Sequence, residues 1–242
     1  MSFEKPNLPQ KNELPLNIKE SRAIAKGHES TVWGVEAENK EGIKQVVLKE
    51  TREQKFATEE EMQESKKFYE YLKNFPGFGK FVPDSLYFKA RESADKNPQA
   101  YVLQHFMEGK TINKVSDEEL YKDPALVHQL QEFIDASIAI LQEARRSKKI
   151  KPDFHKSYGS DLRAVVLSNF LFDPRYSDNI FITDEPDKNG QRIFFIDTGA
   201  NKDERTIKAI ELMERYLIGN VQELQLKSWK KKVERMVSSQ NK

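Results

Sequence analysis

An α+β chain, with a β-rich N-terminal lobe and a mainly helical C-terminal lobe that contains a β-hairpin, is the fold this sequence predicts. Three observations predict it. Short alternating apolar runs, among them "VWGVEA" and "KQVVLKE", crowd residues 18–50. Stretches with apolar residues at helical spacing dominate after residue 107. Among these stretches, "NIFITDEPDKNGQRIFFID" places two strand-like runs around an Asn189-Gly190 turn. Strands first and helices later is the pattern of an α+β architecture, not of an alternating α/β one.

The elements follow in order. Pro6, Pro9 and Pro15 stand among polar residues, so residues 1–17 read as an extended tail. Residues 18–107 read as the β-rich lobe. Its first strands flank "ENKEGI", where Asn39 and Gly42 suit a hairpin turn. "TEEEMQESKKFYEYLKNF" is a helix: Thr58 with Glu61 forms a capping box, and Met62, Phe68, Tyr69, Leu72 and Phe75 form an apolar stripe. "PGFGKFVP" breaks it, and "DSLYFKA" and "AYVLQHF" are two further strands. Residues 108–242 read as the helical lobe. Asp123-Pro124 is a helix start, and Leu126, Leu130, Phe133, Ile134, Ser137, Ile138 and Leu141 line one face as far as about Arg146. Beyond the hairpin, two helices are separated near Gly219 and Asn220.

Composition narrows the function classes. The chain has 242 residues, enough to bury a real core in one large domain or two small lobes. Lys plus Arg number 40 against 39 Asp plus Glu, so no global field draws in nucleic acid or an anionic membrane, and any anion site is local. With no cysteine, disulfides, thiolate metal sites and cysteine nucleophiles are excluded. His28, His105, His128 and His155 show no zinc-ligand spacing. "IFFI" and its like are too short to span a bilayer, and "MSFEKPNLPQ" lacks the features of a signal peptide. The expectation is a cytoplasmic protein with neither nucleic acid nor membrane as partner.

Six local features carry candidate chemistry. Gly27, with Ser30 and Thr31 after it, allows backbone to approach phosphate oxygens, although an ordinary hairpin turn has the same residues. In "VVLKE", Val47 and Lys49 share one strand face, suited to a purine ring and a phosphate; a snorkelling strand-end lysine reads the same way. Glu64 precedes Phe68 by one turn, which makes it the glutamate of its acidic helix best placed to hold Lys49. "YVLQHFMEGKTI", with Gln104 and Phe106, is a connector able to offer backbone groups to a flat heterocycle. Asp153 in "IKPDF" is a loop carboxylate between apolar anchors, suited to general-base work or to an Asx turn. Asn179 opens one hairpin strand and Asp197 closes the other. Antiparallel pairing brings their hard oxygens to one end, a donor pair that suits Mg²⁺.

Taken in order over residues 18–200, these features resemble the protein-kinase-like superfamily, which includes the aminoglycoside-type phosphotransferases. "AKGHESTVWGV" resembles its Gly-rich loop, with Gly27 at the middle glycine, Ala25 and Ser30 at the other two, and Val32 at the following valine. "VVLK" resembles the "VAIK" strand. "YVLQHFMEGKTI" looks like the lobe connector, and "IDTG" is similar to "DFG" with Thr198 in place of Phe. The catalytic loop departs from the pattern: Lys151 and Pro152 stand at the His and Arg positions before Asp153, and Tyr158 stands where Asn belongs. Asn179 in "NIFI" fits the Asn after an insertion, with Asn169 as its rival. Asp161 and Asp173 are rivals of Asp153. The 45 residues after Asp197 imply a compact, atypical or bacterial-type member.

The resemblance implies ATP and Mg²⁺ as cofactors. Lys49 and the Gly27 loop hold phosphates, Glu64 braces Lys49, Asn179 and Asp197 hold the metal, and Asp153 receives or orients the acceptor hydroxyl. It also implies phosphate transfer to a small molecule or protein. The alternative is a catalytically degenerate pseudokinase serving as a nucleotide-binding or scaffold module. Glu204, Glu211 and Glu214 are available for a cationic acceptor, and equally form a solvated helix face.

Overall fold

The computed structural model describes residues 17–26, 30–39, 42–51, 59–90, 99–147, 175, 177–197 and 221–240. These fall into two compact units, one within Met1–Lys67 and Pro83–Met107, the other within Phe68–Val82 and Glu108–Lys242.

The first unit is built on a five-stranded antiparallel sheet: β1 (Asn17–Lys26), β2 (Ser30–Asn39), β3 (Gly42–Thr51), β4 (Ser85–Ala90) and β5 (Gln99–His105), in spatial order β1-β2-β3-β5-β4. Asn39 pairs with Gly42, so the register of β2 and β3 is fixed by the turn expected there. Leu48 lies opposite Trp33 on one side and Leu103 on the other. With Val35, Val46 and Tyr101 it forms a core against one face of the sheet, and Phe88 stacks on Tyr101 at 5.6 Å. Leu48 is wholly buried, which contributes about 1.5–3 kcal/mol relative to exposure. Helix α1 (Glu59–Asn74) crosses the division between the units: of its predicted stripe, Met62 is buried in the first unit, Phe68 and Leu72 are buried in the core of the second, and Tyr69 and Phe75 are half-buried. Thr58 lies outside the described residues.

The larger core belongs to the second unit. Helix α2 (Asp117–Lys122) is short and was not foreseen; Ser116 Oγ accepts from Glu119 N at its start, 3.1 Å. Helix α3 (Pro124–Ser147) begins where Asp123-Pro124 places it, and Asp123 Oδ1 accepts from Ala125 N at 2.9 Å. Six of the seven residues of its predicted face are buried, and Ile138 is half-buried. Phe133 meets Phe81 edge-on at 5.1 Å and Phe78 at 5.9 Å, and Phe195 meets Phe78 at 5.7 Å. Helix α4 (Val221–Gln240) adds Leu226, Trp229 and Val233 to this core. The helix expected before α4, "DERTIKAIELMERYLIGN" (residues 203–220), lies outside the described residues.

One sequence reading is corrected here. The segment "MEGKTI" is not a plain connector before helix: Gly109–Thr111 is strand β6, which pairs with β7 (Ile180–Thr183), and β7 pairs with β8 (Ile193–Phe195). The hairpin is thus two-thirds of a three-stranded sheet. Gly109 has φ +151°, and a β-carbon there would lie 2.1 Å from Ile182 O, so glycine is what lets β6 approach β7. A three-residue strand shows no periodicity from which to read it. The hairpin turn is longer than a two-residue turn. Asp187 organises it, its Oδ1 accepting from Asn189 N and Gln191 N at 2.8 Å, with Gly190 at φ +79°.

Much of the basic run on α4 is committed to ion pairs: Lys227 to Glu223 at 2.6 Å, Lys230 to Asp135 at 2.6 Å and Lys232 to Asp117 at 3.2 Å. Glu223 is the hub, receiving hydrogen bonds from Lys227, Gln142 and Arg145. Burial disfavours its charged form, but those three donors outweigh burial and lower its carboxyl to about 2. A depressed folded-state value stabilises the fold above the unfolded value of 4.5, and that contribution disappears as pH falls towards about 2. Glu223→Gln is therefore expected to cost on the order of 1–3 kcal/mol at pH 7. Urea titrations of the two proteins should draw together as pH falls from 5 towards 2; a pH-independent gap would exclude the linkage.

Among the described residues, no helix is long and apolar enough to cross a membrane.

Candidate functional site

In the first unit the ladder register sets the geometry. Val32 pairs with Lys49, and Lys49 with Val102; Gly34 pairs with Val47, and Val47 with Gln104. Directly paired residues point to the same side of an antiparallel sheet. Val32, Val47, Lys49 and Gln104 therefore share the face opposite the Leu48 core. Val32, Val47 and Lys49 are half-buried and Gln104 is buried. Gln104 Nε2 donates to Ser85 Oγ at 2.9 Å, which fixes the amide at the β4 side of this face. Beyond the end of β5, Phe106 is half-buried and its N–H donates to Gln45 O at 3.3 Å.

Ile24, which sequence reading missed, is 46% exposed. It lies over the bare backbone of Gly34, whose hypothetical β-carbon would come within 2.9 Å of Ile24 Cδ1. A register shift between Ala23 and Ala25 places it there. Such a bulge breaks the two-residue alternation from which a face is read. Glu64 is half-buried on α1, one turn before Phe68. Ser30 opens β2 opposite Thr51. Gly27 and Asp153 lie outside the described residues, as do Asp161, Asn169 and Asp173.

In the second unit, Ile180 pairs with Phe195, and Ile196 N donates to Asn179 O at 2.9 Å. Asn179 is thus opposite Ile196, and Asp197 is the next residue along. Both side chains are half-buried. Asn179 and Asp197 thus stand one register position apart at the hairpin end, on a frame anchored by Ile180, Ile193 and Phe195, all wholly buried.

These are hard oxygen donors, and two of them fit Mg²⁺, which takes one or two protein ligands and fills its remaining positions with phosphate oxygens and water. Among the described residues, no group of three or more His, Asp or Glu gathers as a closed metal cage.

Two residues near this end, Asn113 and Arg175, were also missed. Asn113, in the 3₁₀ turn Ile112–Lys114 after β6, donates from Nδ2 to Asp178 Oδ1 and accepts from Thr111 Oγ1 at 2.5 Å. Arg175 donates to the carbonyls of Ile112 and Val115 and, through Nε, to Asp117 Oδ1 at 2.9 Å. Burial raises the Asp117 carboxyl, but hydrogen bonds from Arg175 and Lys232 prevail and leave it below the usual carboxylate range. These contacts join residues about sixty positions apart in sequence, with no local signal to announce them.

No protein-family profile and no curated protein matches the chain. Among solved structures, the chain is similar to the kinase domain of Mycobacterium tuberculosis PknI. A double mutant of that domain aligns with TM-score 0.46 and 12% identity over 84% of this chain and 65% of that one. The domain without those mutations aligns with TM-score 0.44 and 12% identity over 78% of this chain and 62% of that one. The chain thus spans less than two thirds of the length of these domains. Among the described residues its own architecture is a mixed α and β fold with two antiparallel sheets.

Proposed function

We propose that this chain is an ATP- and Mg²⁺-dependent phosphotransferase of the protein-kinase-like fold, moving the γ-phosphate to a hydroxyl of a small molecule or a protein. The observation that carries this reading is that Asn179 and Asp197 stand one register position apart at one end of the β7–β8 pair. The β-sheet face of the first unit supports it, since Val32 and Val47 offer an apolar surface beside the Lys49 cation. In this reading Lys49 and the segment around Gly27 and Ser30 hold phosphate oxygens, and Glu64 braces Lys49. Gln104 and Phe106 border the base, and Asp153 takes or orients the acceptor hydroxyl. Mg²⁺, when bound, neutralises charge on the phosphates.

The test is a Mg²⁺-ATP thermal shift combined with γ-phosphate transfer to small-molecule and protein acceptor panels. Binding that stabilises the chain, with measurable transfer, is the expected outcome. Lys49→Met is expected to weaken ATP binding about tenfold or more, since it removes a charge-assisted contact. ATP binding with no transfer to any acceptor points instead to the degenerate, nucleotide-binding module. No shift with Mg²⁺-ATP removes both.

A further inference from the structure

We propose that Asn113 is a positioning residue for the Asn179–Asp197 end, acting through Asp178; the inference rests on the phosphotransferase reading of that end. Strands β6 and β8 end where β7 begins. Thr111 closes β6 opposite Phe181, and Asn113 follows it by two residues. Asn113 Oδ1 accepts the Thr111 hydroxyl, which sets the orientation of the amide and turns its Nδ2 donor towards Asp178. A flipped amide would set its oxygen against a carboxylate, so the pairing has one favourable sense.

Asp178 is one peptide bond from Asn179. Its neighbours are equally constrained: Ser177 is wholly buried and its Oγ accepts from Asn179 N at 3.1 Å, and Asn179 O accepts from Ile196 N at 2.9 Å. Arg175 captures carbonyls on both sides of the Asn113 turn, Ile112 O and Val115 O. The segment that leads into Asn179 is therefore held to the β6 turn by two separate sets of hydrogen bonds, one neutralising a turn and one gripping a carboxylate. Removing the Asn113 grip takes one of these restraints from the peptide that leads into Asn179. Groups that orient metal ligands in this way typically alter metal affinity by about 10- to 100-fold when lost.

The test uses Mn²⁺ as the probe, with its binding to the whole chain followed by electron paramagnetic resonance and folding followed by far-UV circular dichroism. Asn113→Asp sets two carboxylates face to face and is expected to weaken Mn²⁺ binding about tenfold or more. The reciprocal pair, Asn113→Asp with Asp178→Asn, restores one donor and one acceptor with their roles exchanged and is expected to recover most of the affinity. A role confined to stability would leave Mn²⁺ affinity unchanged in the folded variants and so overturns the inference. Failure of the reciprocal pair to recover binding also overturns it, whether that protein is folded, which would make the Asp178 carboxylate a ligand in its own right, or unfolded. If Asn113→Asp does not fold, recovery in the reciprocal pair decides the matter alone. Absence of Mn²⁺ binding in the unaltered chain is a different result: it removes the phosphotransferase reading of this end and the inference with it.

Discussion

Asp197→Asn is expected to lower phosphate transfer from Mg²⁺-ATP by about 10²- to 10³-fold, the size of loss seen when one preorganised charge-stabilising group is removed from a catalytic site. The substitution keeps the shape of the side chain and deletes its charge. Asp197 is the one carboxylate of the proposed donor pair, and Asn179 supplies only an amide dipole, so the pair without Asp197 is neutral. The frame beneath is untouched: Ile193 and Phe195 stay wholly buried, and Ile196 N still donates to Asn179 O. The loss should fall chiefly on the rate and on the Mg²⁺ concentration needed, with the circular dichroism spectrum unchanged. A variant that transfers phosphate as fast as the parent at equal Mg²⁺ would show that the metal is held elsewhere.

Phe195→Ala is expected to destabilise the second unit by about 3–5 kcal/mol, the range for removing a wholly buried aromatic side chain. Phe195 is fully buried and meets Phe78 at 5.7 Å, within a chain of rings that continues from Phe78 to Phe133 and Phe81. Those rings tie β8 to α3 and to the 3₁₀ turn Gly79–Phe81. The cavity left by alanine is lined by rigid aromatics that cannot easily collapse into it. Urea denaturation read from Trp229 in a Trp33→Phe background reports this unit, because Trp229 lies in its core and Trp33 belongs to the other. A loss below about 1 kcal/mol would mean that the site collapses, and that these rings do not restrain one another. Because Phe195 is two residues before Asp197, the same variant should also raise the Mg²⁺ requirement.

What was legible in the sequence was local. Asp123-Pro124 marked the start of α3 because an N-cap and a proline act within a single turn. Asn39 and Gly42 fixed the β2–β3 register, and counting outward from that pair sets Val32 against Lys49. The pairing of the β7 and β8 runs, which sets Asn179 opposite Ile196, followed from two runs joined by one turn. What stayed hidden depended on distant partners or on broken rhythm. Strand β6 has three residues, and its partner lies beyond α2 and α3. Asn113 and Asp178 are 65 residues apart. Ile24 sits at an irregularity that shifts alternation out of phase. The resemblance in the connector, "EGK", has a local explanation as well, since Gly109 is the residue that lets β6 close on β7.

The lateness of β7 in the chain has a consequence for how the protein acquires its fold. A sheet whose first strand is made at residues 109–111 and whose second is made at residues 180–183 closes a long loop, and the ordering entropy is spent before its few ladder bonds form. Three residues of ladder contribute little towards that cost, so the closure leans on interactions that arrive together, the Arg175 clamp and the Asn113–Asp178 contact among them. Strand pairing of this non-local kind is slow to nucleate, whereas α3 forms from neighbours. During synthesis the Gly109–Thr111 segment emerges as an unpaired edge and remains one until the ribosome has delivered β7. The end of the sheet that carries Asn179 and Asp197 is thus completed only after α3, the helix on which its core rests, has been made.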